Sequence, residues 1–298
     1  MKRARSYFLG VILAGAVASC ATVPAASPGP TLEPRIGPPR GHLVVAGGGD
    51  LTGTGILERF VQLAGGPNAR IVVIPTADGS GPYDLSWPGL DGLREAGARN
   101  LTILHTTDRT IADSEEFVAP LREATGVWIA GGRQWRLADA YLDTLTDDEL
   151  DSVLDRGGVV GGSSAGASIQ ASFLVRGAPE GNHIVMAPGY ERGFGLLRDA
   201  AVDQHLLVRR RERDLLQILD LHPELLGIGI DERTAIVVSG DLFEVIGASE
   251  VAVYDGTELT GGAGYYLLPP GASYDMNDKR PVGRYAGSVR TPGPVRAP

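Results

Sequence analysis

Short β-branched runs alternate with helical patterns through the first half of the chain, and this constrains the fold more than any other feature. The runs are "HLVVAGGG" from His42, then "ARIVVIPTA", "NLTILHT", "GVWIAGG" and "GGVVGGSS", each followed by a stretch able to form a helix. Continuous apolar runs of this kind, separated by helices, predict parallel strands buried on both faces. The expected architecture is an α/β fold, an open three-layer α/β/α sandwich around a mostly parallel sheet. Ligands in such sheets sit beyond the carboxyl ends of the strands. Chemistry is therefore sought at Gly47-Gly48-Gly49-Asp50, Pro75-Thr76-Ala77-Asp78, His105-Thr106-Thr107-Asp108, Gly131-Gly132-Arg133-Gln134 and Ser163-Ser164. After residue 205 the pattern predicts a helix of about four to five turns, ended by Pro223. "LLGIGIDE", "TAIVVSG", "LFEVIG" and "EVAVYDG" follow as close-set, more antiparallel strands, and the Gly- and Pro-rich end reads as edge strand and tail.

The N-terminus has the layout of an export signal. Lys2, Arg3 and Arg5 precede the apolar core "YFLGVILAGAVA", which is short for a bilayer span. It ends in Val17-Ala18-Ser19-Cys20, which resembles a bacterial lipobox with Cys20 as the lipidated first residue of the mature chain; the alternative is a plain cleaved signal. Residues 21–40 are rich in Pro and Ala and read as a tether, so the expected organisation is a signal over 1–20, a linker over 21–40 and one domain over 41–298. Cys20 is the sole cysteine, which excludes an intrachain disulfide, a cysteine nucleophile and a thiolate metal cluster in the body. A formal net charge of -9 argues against nucleic acid as a partner.

The glycine loops do not match a phosphate-binding pattern. In "GGGDLTGTG" the third glycine of G-x-G-x-x-G is missing, with Thr52 or Glu58 in its place, and no G-K-[ST] occurs. Gly162-Ser163-Ser164-Ala165-Gly166 does fit G-x-S-x-G, the sharp strand-to-helix turn that presents a serine. With 42 glycines in the chain, roughly 0.3 such matches arise by chance, so the motif needs partners. Ser164 is its central residue, and Ser163 faces the other side of the strand.

A serine needs a base, and the base needs a group that holds its tautomer. Of five histidines, His42 opens a strand, His183 lies in a polar loop and His222 ends a helix. His105 and His205 remain. His105 sits at a strand end with Asp108 as its only nearby acid, whereas His205 lies in "VDQHLLVRRRER" among Asp203, Gln204, Arg209 and Arg211 at what reads as a helix start. The residues alone leave both open.

Taken together, "GVWIAGGRQWRL", "GGVVGGSSAGAS", "DQHLLVRRRERDLL" and "GIGIDERTAIVV", in this order, resemble the cyanophycinase and peptidase E family of serine peptidases. The likeness runs from "LVVAGGG" to about "VAVYD". It implies a class I glutamine amidotransferase-like α/β/α fold, in accord with the sheet read above. Carried over residue by residue, it implies Ser164 as nucleophile, His205 as general base and Glu232 as the acid orienting the base, with Asp231 the rival for that last role. The backbone amides of Gly132 and Ala165 would form the oxyanion hole. By the same likeness Gln134, Asp203, Gln204, Arg209 and Arg211 line the substrate pocket.

The resemblance implies an exopeptidase that cleaves cyanophycin, an aspartate polymer carrying arginine side groups, or related β-aspartyl peptides. Arg133 and Asp214 depart from the pattern, standing where the family usually has an acidic residue and an arginine respectively. Both reverse a charge, which bears on specificity more than on mechanism. The alternatives are an aspartyl dipeptidase or small-amide hydrolase, and a non-catalytic envelope binding protein. No cofactor or metal is expected. The expected partners are a peptide or polymer substrate, a membrane only through the lipid anchor, and a second copy if the chain is a homodimer. Export points to the cell envelope, at the outer membrane where there is one, or to secretion if Cys20 is not lipidated.

Overall fold

The computed structural model describes residues 35–256, 264–283 and 288–290, all within the compact unit Glu33–Pro298. The signal, the lipobox with Cys20 and most of the tether lie outside the described residues. The strands along the chain are β1 (His42–Ala46), β2 (Arg70–Ile74), β3 (Asn100–Ile103), β4 (Gly126–Ile129), β5 (Val159–Ser163), β6 (Ala171–Phe173), β7 (Leu197–Gln204) and β8 (Leu226–Ile230). There follow β9 (Thr234–Ser239), β10 (Leu242–Gly247), β11 (Val251–Tyr254), β12 (Tyr265–Leu268), β13 (Ser273–Asp275), β14 (Arg280–Val282) and β15 (Ser288–Arg290).

The five alternating runs form a parallel array in the order β1-β5-β4-β2-β3, as part of an α/β fold. Their continuous apolar character has a direct cause. In β1, Leu43 and Val45 enter one core cluster while Val44 and Ala46 enter another on the opposite face; Val72 and Ile74 split in the same way from Ile71 and Val73 in β2. Side chains alternate along a strand, so burial of both faces demands an unbroken apolar run. The helix Ile56–Leu63 covers one face through Ile56, Leu57, Phe60 and Val61, the spacing of a single helical stripe. Phe60 meets Trp128 of β4 edge to face with ring centroids 5.0 Å apart. Its truncation to alanine would cost about 3–5 kcal/mol.

Of the runs expected as antiparallel strands, β9 and β10 extend this sheet, β9 pairing with β1 and β13 and β14 continuing outward, whereas β8 and β11 belong to a separate sheet in which β8 also pairs in parallel with β7. A second, six-stranded sheet, ordered β15-β12-β11-β8-β7-β6, was not foreseen from sequence. Val202, Ile228, Ile230 and Val253 of this sheet share one core with Leu43 and Val45 of the first. Its other face, with Ala201, Ala252 and Tyr254, packs against Leu215 and Ile218 of the helix Asp214–Leu221.

Two boundaries differ from the sequence reading. The packed body begins before Gly41, because the backbone amides of Arg35, Ile36 and Gly37 all donate to the Asp241 carboxylate and Ile36 is buried. Three amides on one carboxylate anchor the end of the tether to the β9–β10 turn. The helix expected from residue 205 is also shorter. His205 directly follows strand β7 instead of opening a helix, residues 206–213 turn, and the helix proper spans Asp214–Leu221. Left-handed backbone at His205 (φ 54) and Arg210 (φ 55) prevents a continuous helix there.

Candidate active site

Strand β5 ends at Ser163, and the chain then turns sharply into the helix Ala165–Ser168 with Ser164 at φ 56, ψ -110. A non-glycine residue held in this region costs of order 1–3 kcal/mol and persists only where packing enforces it. The enforcement comes from the flanking glycines. A Cβ on Gly162 would lie 2.2 Å from the Gly166 carbonyl oxygen, and one on Gly166 would lie 2.1 Å from that of Ile129. Both motif glycines are thus required by close backbone approach. Ser163 instead completes the ladder opposite Ala46 of β1.

From this turn the Ser164 hydroxyl lies 2.9 Å from Nε2 of His205, whose Nδ1 lies 2.6 Å from Oε1 of Glu232. Ionised carboxylates only accept, so Nδ1 carries the proton and donates to Glu232, which leaves the Nε2 lone pair facing the serine. His205 is nearly buried, at 7% exposure, and burial lowers its pKa from the usual imidazole value; the cations Arg209 and Arg211 act in the same direction and Glu232 against it. The ring is therefore neutral, and able to accept a proton, at neutral pH.

The Gly47-Gly48-Gly49 turn, which fails as a phosphate loop, forms the wall behind this pair. The His205 amide donates to the Gly47 carbonyl at 3.0 Å. A Cβ on Gly48 (φ +107) would lie 2.3 Å from Cε1 of His205, and one on Gly49 would lie 2.9 Å from Oε2 of Glu232. The glycines here make room for the imidazole and the carboxylate.

Asp231 points elsewhere. Its Oδ1 accepts from the amides of Leu207 and Val208, both at 3.0 Å, and its Oδ2 accepts from the Ser249 hydroxyl at 2.7 Å. It thereby fixes the turn that leaves His205. Asp231→Ala is expected to strand these donors and lower stability by ~2 kcal/mol or more, whereas Asp231→Asn, which keeps the acceptor for both amides, should retain most of it. Denaturant midpoints of the two variants check this.

Gly132, at φ +144 and exposed, follows β4, and Gly131 lies beside the nucleophile turn, where its Cβ would be 3.4 Å from that of Ser164. Ala165 opens its helix, where the first amides have no intrahelical acceptor. The Gly131-Gly132 turn thus lies beside the serine and the Ala165 amide directly follows it, positions from which backbone N–H groups could meet a developing oxyanion.

The remaining sequence-derived site residues fall into two groups. Arg209 is exposed on the turn after His205. Gln134, Asp203, Gln204 and Arg211 are all buried and tied to protein groups. Gln134 donates to the Val175 carbonyl at 2.9 Å, and Arg211 donates to both the backbone and side-chain oxygens of Gln204 at 2.8 Å. Asp203 accepts a bidentate pair from Arg176 at 2.9 and 3.0 Å, and Arg176 also pairs with Asp214. These contacts brace the segments around His205. Arg176 was not singled out from sequence; an arginine in an unremarkable loop gives no local sign that it will be 2% exposed between two carboxylates. His105, the other histidine left open, lies apart from this constellation. Its Nδ1 is 2.8 Å from the Thr76 hydroxyl, and it borders a cavity of about 540 Å³ with Tyr83, Trp135, Arg136 and Asp139.

Comparison with known proteins follows the same lines. The model of the peptidase family S51 matches residues 43–246. The cyanophycinase of Geminocystis herdmanii (strain PCC 6308) is 33% identical over 226 residues, 74% of this chain and 83% of its own length. That of Nostoc sp. (strain PCC 7120 / SAG 25.82 / UTEX 2576) is 34% identical over 227 residues, 73% of this chain and 74% of its own. The crystal structure of a peptidase from an acI-B1 Actinobacterium superposes with a TM-score of 0.62 at 23% identity, covering 79% of this chain and 97% of that one, a likeness of fold.

Proposed function

The chain belongs to peptidase family S51 and is a serine peptidase, and from that premise we propose that it hydrolyses cyanophycin or related β-aspartyl peptides through an acyl-enzyme on Ser164. The observation that carries the proposal is the continuous hydrogen-bonded path from the Ser164 hydroxyl through His205 to Glu232, at 2.9 and 2.6 Å.

In this reading His205 Nε2 takes the Ser164 proton as Oγ attacks the substrate carbonyl carbon. Glu232 stabilises the imidazolium that forms. The amides of Gly132 and Ala165 receive the oxyanion, and loss of one such donor typically costs about 100- to 1000-fold in rate. His205 then protonates the leaving amine and activates the water that hydrolyses the ester. Export, a lipid anchor at Cys20 and action on material outside the cytoplasm complete the proposal.

The pH dependence has a fixed sign. The base works only when neutral, so kcat/KM should be full above its pKa and fall as pH drops through it. Because burial lowers that pKa, the acid limb is expected below the usual imidazole value of 6.5. Arg209→Ala removes a cation that lowers it further, so the limb should move upward; rate profiles of the two proteins check this.

The test of the reading is hydrolysis of insoluble cyanophycin and of matched β-Asp-X and Asp-X dipeptides, with mass analysis of the products. Release of β-aspartyl-arginine from the polymer, or cleavage of β-Asp-X dipeptides, is expected. Turnover of α-linked Asp-X alone would move the protein to the aspartyl dipeptidases, and inertness toward all three would sink the proposal.

A further inference from the structure

One cation of the turn beside the nucleophile, Arg133, lacks a carboxylate partner among the described residues. Four carboxylates around the site are already engaged: Glu232 with His205, Asp231 with two amides and Ser249, and Asp203 and Asp214 with Arg176. Arg133 has no such partner. It is half-buried, immediately after Gly132, and its backbone amide donates to the Ala77 carbonyl at 2.8 Å, which fixes the turn from which the side chain leaves. The guanidinium donates through Nη2 to the Ala178 carbonyl, its Nε is buried without a partner, and no carboxylate pairs with it among the described residues.

A guanidinium has five N–H donors in a planar fork that matches a carboxylate, and leaving it half-buried and under-paired is unfavourable. Consecutive Cα atoms are about 3.8 Å apart, so this side chain starts one residue from the amide assigned to the oxyanion hole in the proposed mechanism. We propose that Arg133 is a specificity-determining residue that selects substrates bearing a carboxylate on the residue flanking the scissile amide. A guanidinium-bearing residue would meet a like charge at the same place, so the chain favours acidic β-aspartyl peptides over arginine-bearing ones. This rests on the peptidase reading for what is cleaved, but not for what is bound.

The experiment separates the two. In the inert Ser164→Ala protein, calorimetry measures the affinities of β-aspartyl-aspartate and β-aspartyl-arginine. The acidic dipeptide should bind tighter by about tenfold or more, the scale of a charge-assisted hydrogen-bonded pair. Adding Arg133→Gln should bring the two within about threefold, and Arg133→Lys, which keeps the charge and loses the fork, should fall between. Equal binding in the parent, tighter binding of β-aspartyl-arginine, or a ratio unchanged by Arg133→Gln and Arg133→Lys would each overturn the assignment. Because no turnover is needed, failure of the peptidase reading shows instead as absent hydrolysis by the wild-type enzyme.

Discussion

Replacing Ser164 by alanine is expected to lower kcat by roughly 10³- to 10⁶-fold, with the fold and melting temperature nearly unchanged. The hydroxyl makes one side-chain hydrogen bond, to His205, and the imidazole stays held by Glu232 on its other nitrogen. The strained turn at φ 56 does not depend on the hydroxyl, because the close contacts of Gly162 and Gly166 impose it. Residual rate over water would come from the amides of Gly132 and Ala165. Ser163→Ala is the matched control. Ser163 ends β5, paired across the ladder with Ala46, so its loss should leave most activity in place. Steady-state kinetics of the two variants separates adjacent serines that sequence alone ranks only by motif position.

Gly48→Ala should cost at least about 100-fold in kcat/KM, although Gly48 touches no substrate in this account. Its Cβ would lie 2.3 Å from Cε1 and 2.8 Å from Nε2 of His205, so the ring must move. A displacement of about 1 Å in a catalytic group is enough for a loss of that size. The positive φ of +107 adds backbone strain, and a lowered melting temperature should accompany the kinetic defect. Gly53, in the same glycine-rich stretch, has φ +66 and nothing within 4 Å of the position of its Cβ. Gly53→Asn, a residue that tolerates left-handed backbone, should therefore keep near-wild-type activity. Similar activities in the two variants would remove the proposed role of the Gly48 turn.

The contrast between these glycines bears on what could be read from the chain. "GGGDLTGTG" invites a nucleotide, and spacing alone rejects it. What the turn does instead, seating His205 and Glu232, depends on residues more than 150 positions away in sequence and leaves no local trace. The parallel array was legible because burial on both faces writes an unbroken apolar run into each strand. Strand β7 was not, because "LRDAAVDQ" places Arg198 and Asp199 early and alanines where β-branched residues would mark a strand. Without β7 the second sheet cannot be assembled from sequence, and His205 reads as a helix start. The polar residues near His205 are legible in the sequence, but their partners are not. Asp203 accepts from Arg176 and Gln204 from Arg211, pairings that spacing along the chain does not announce. Composition finds polar clusters; only the fold tells which of their atoms remain free.

The central claim is that Ser164 is made nucleophilic by His205. Covalent labelling with a fluorophosphonate, followed by peptide mapping, tests it most directly. A single adduct on Ser164 is predicted in the wild-type protein, slowed by at least about 100-fold in His205→Ala. An adduct on Ser163, or labelling of Ser164 at an unchanged rate when His205 is removed, would contradict the account.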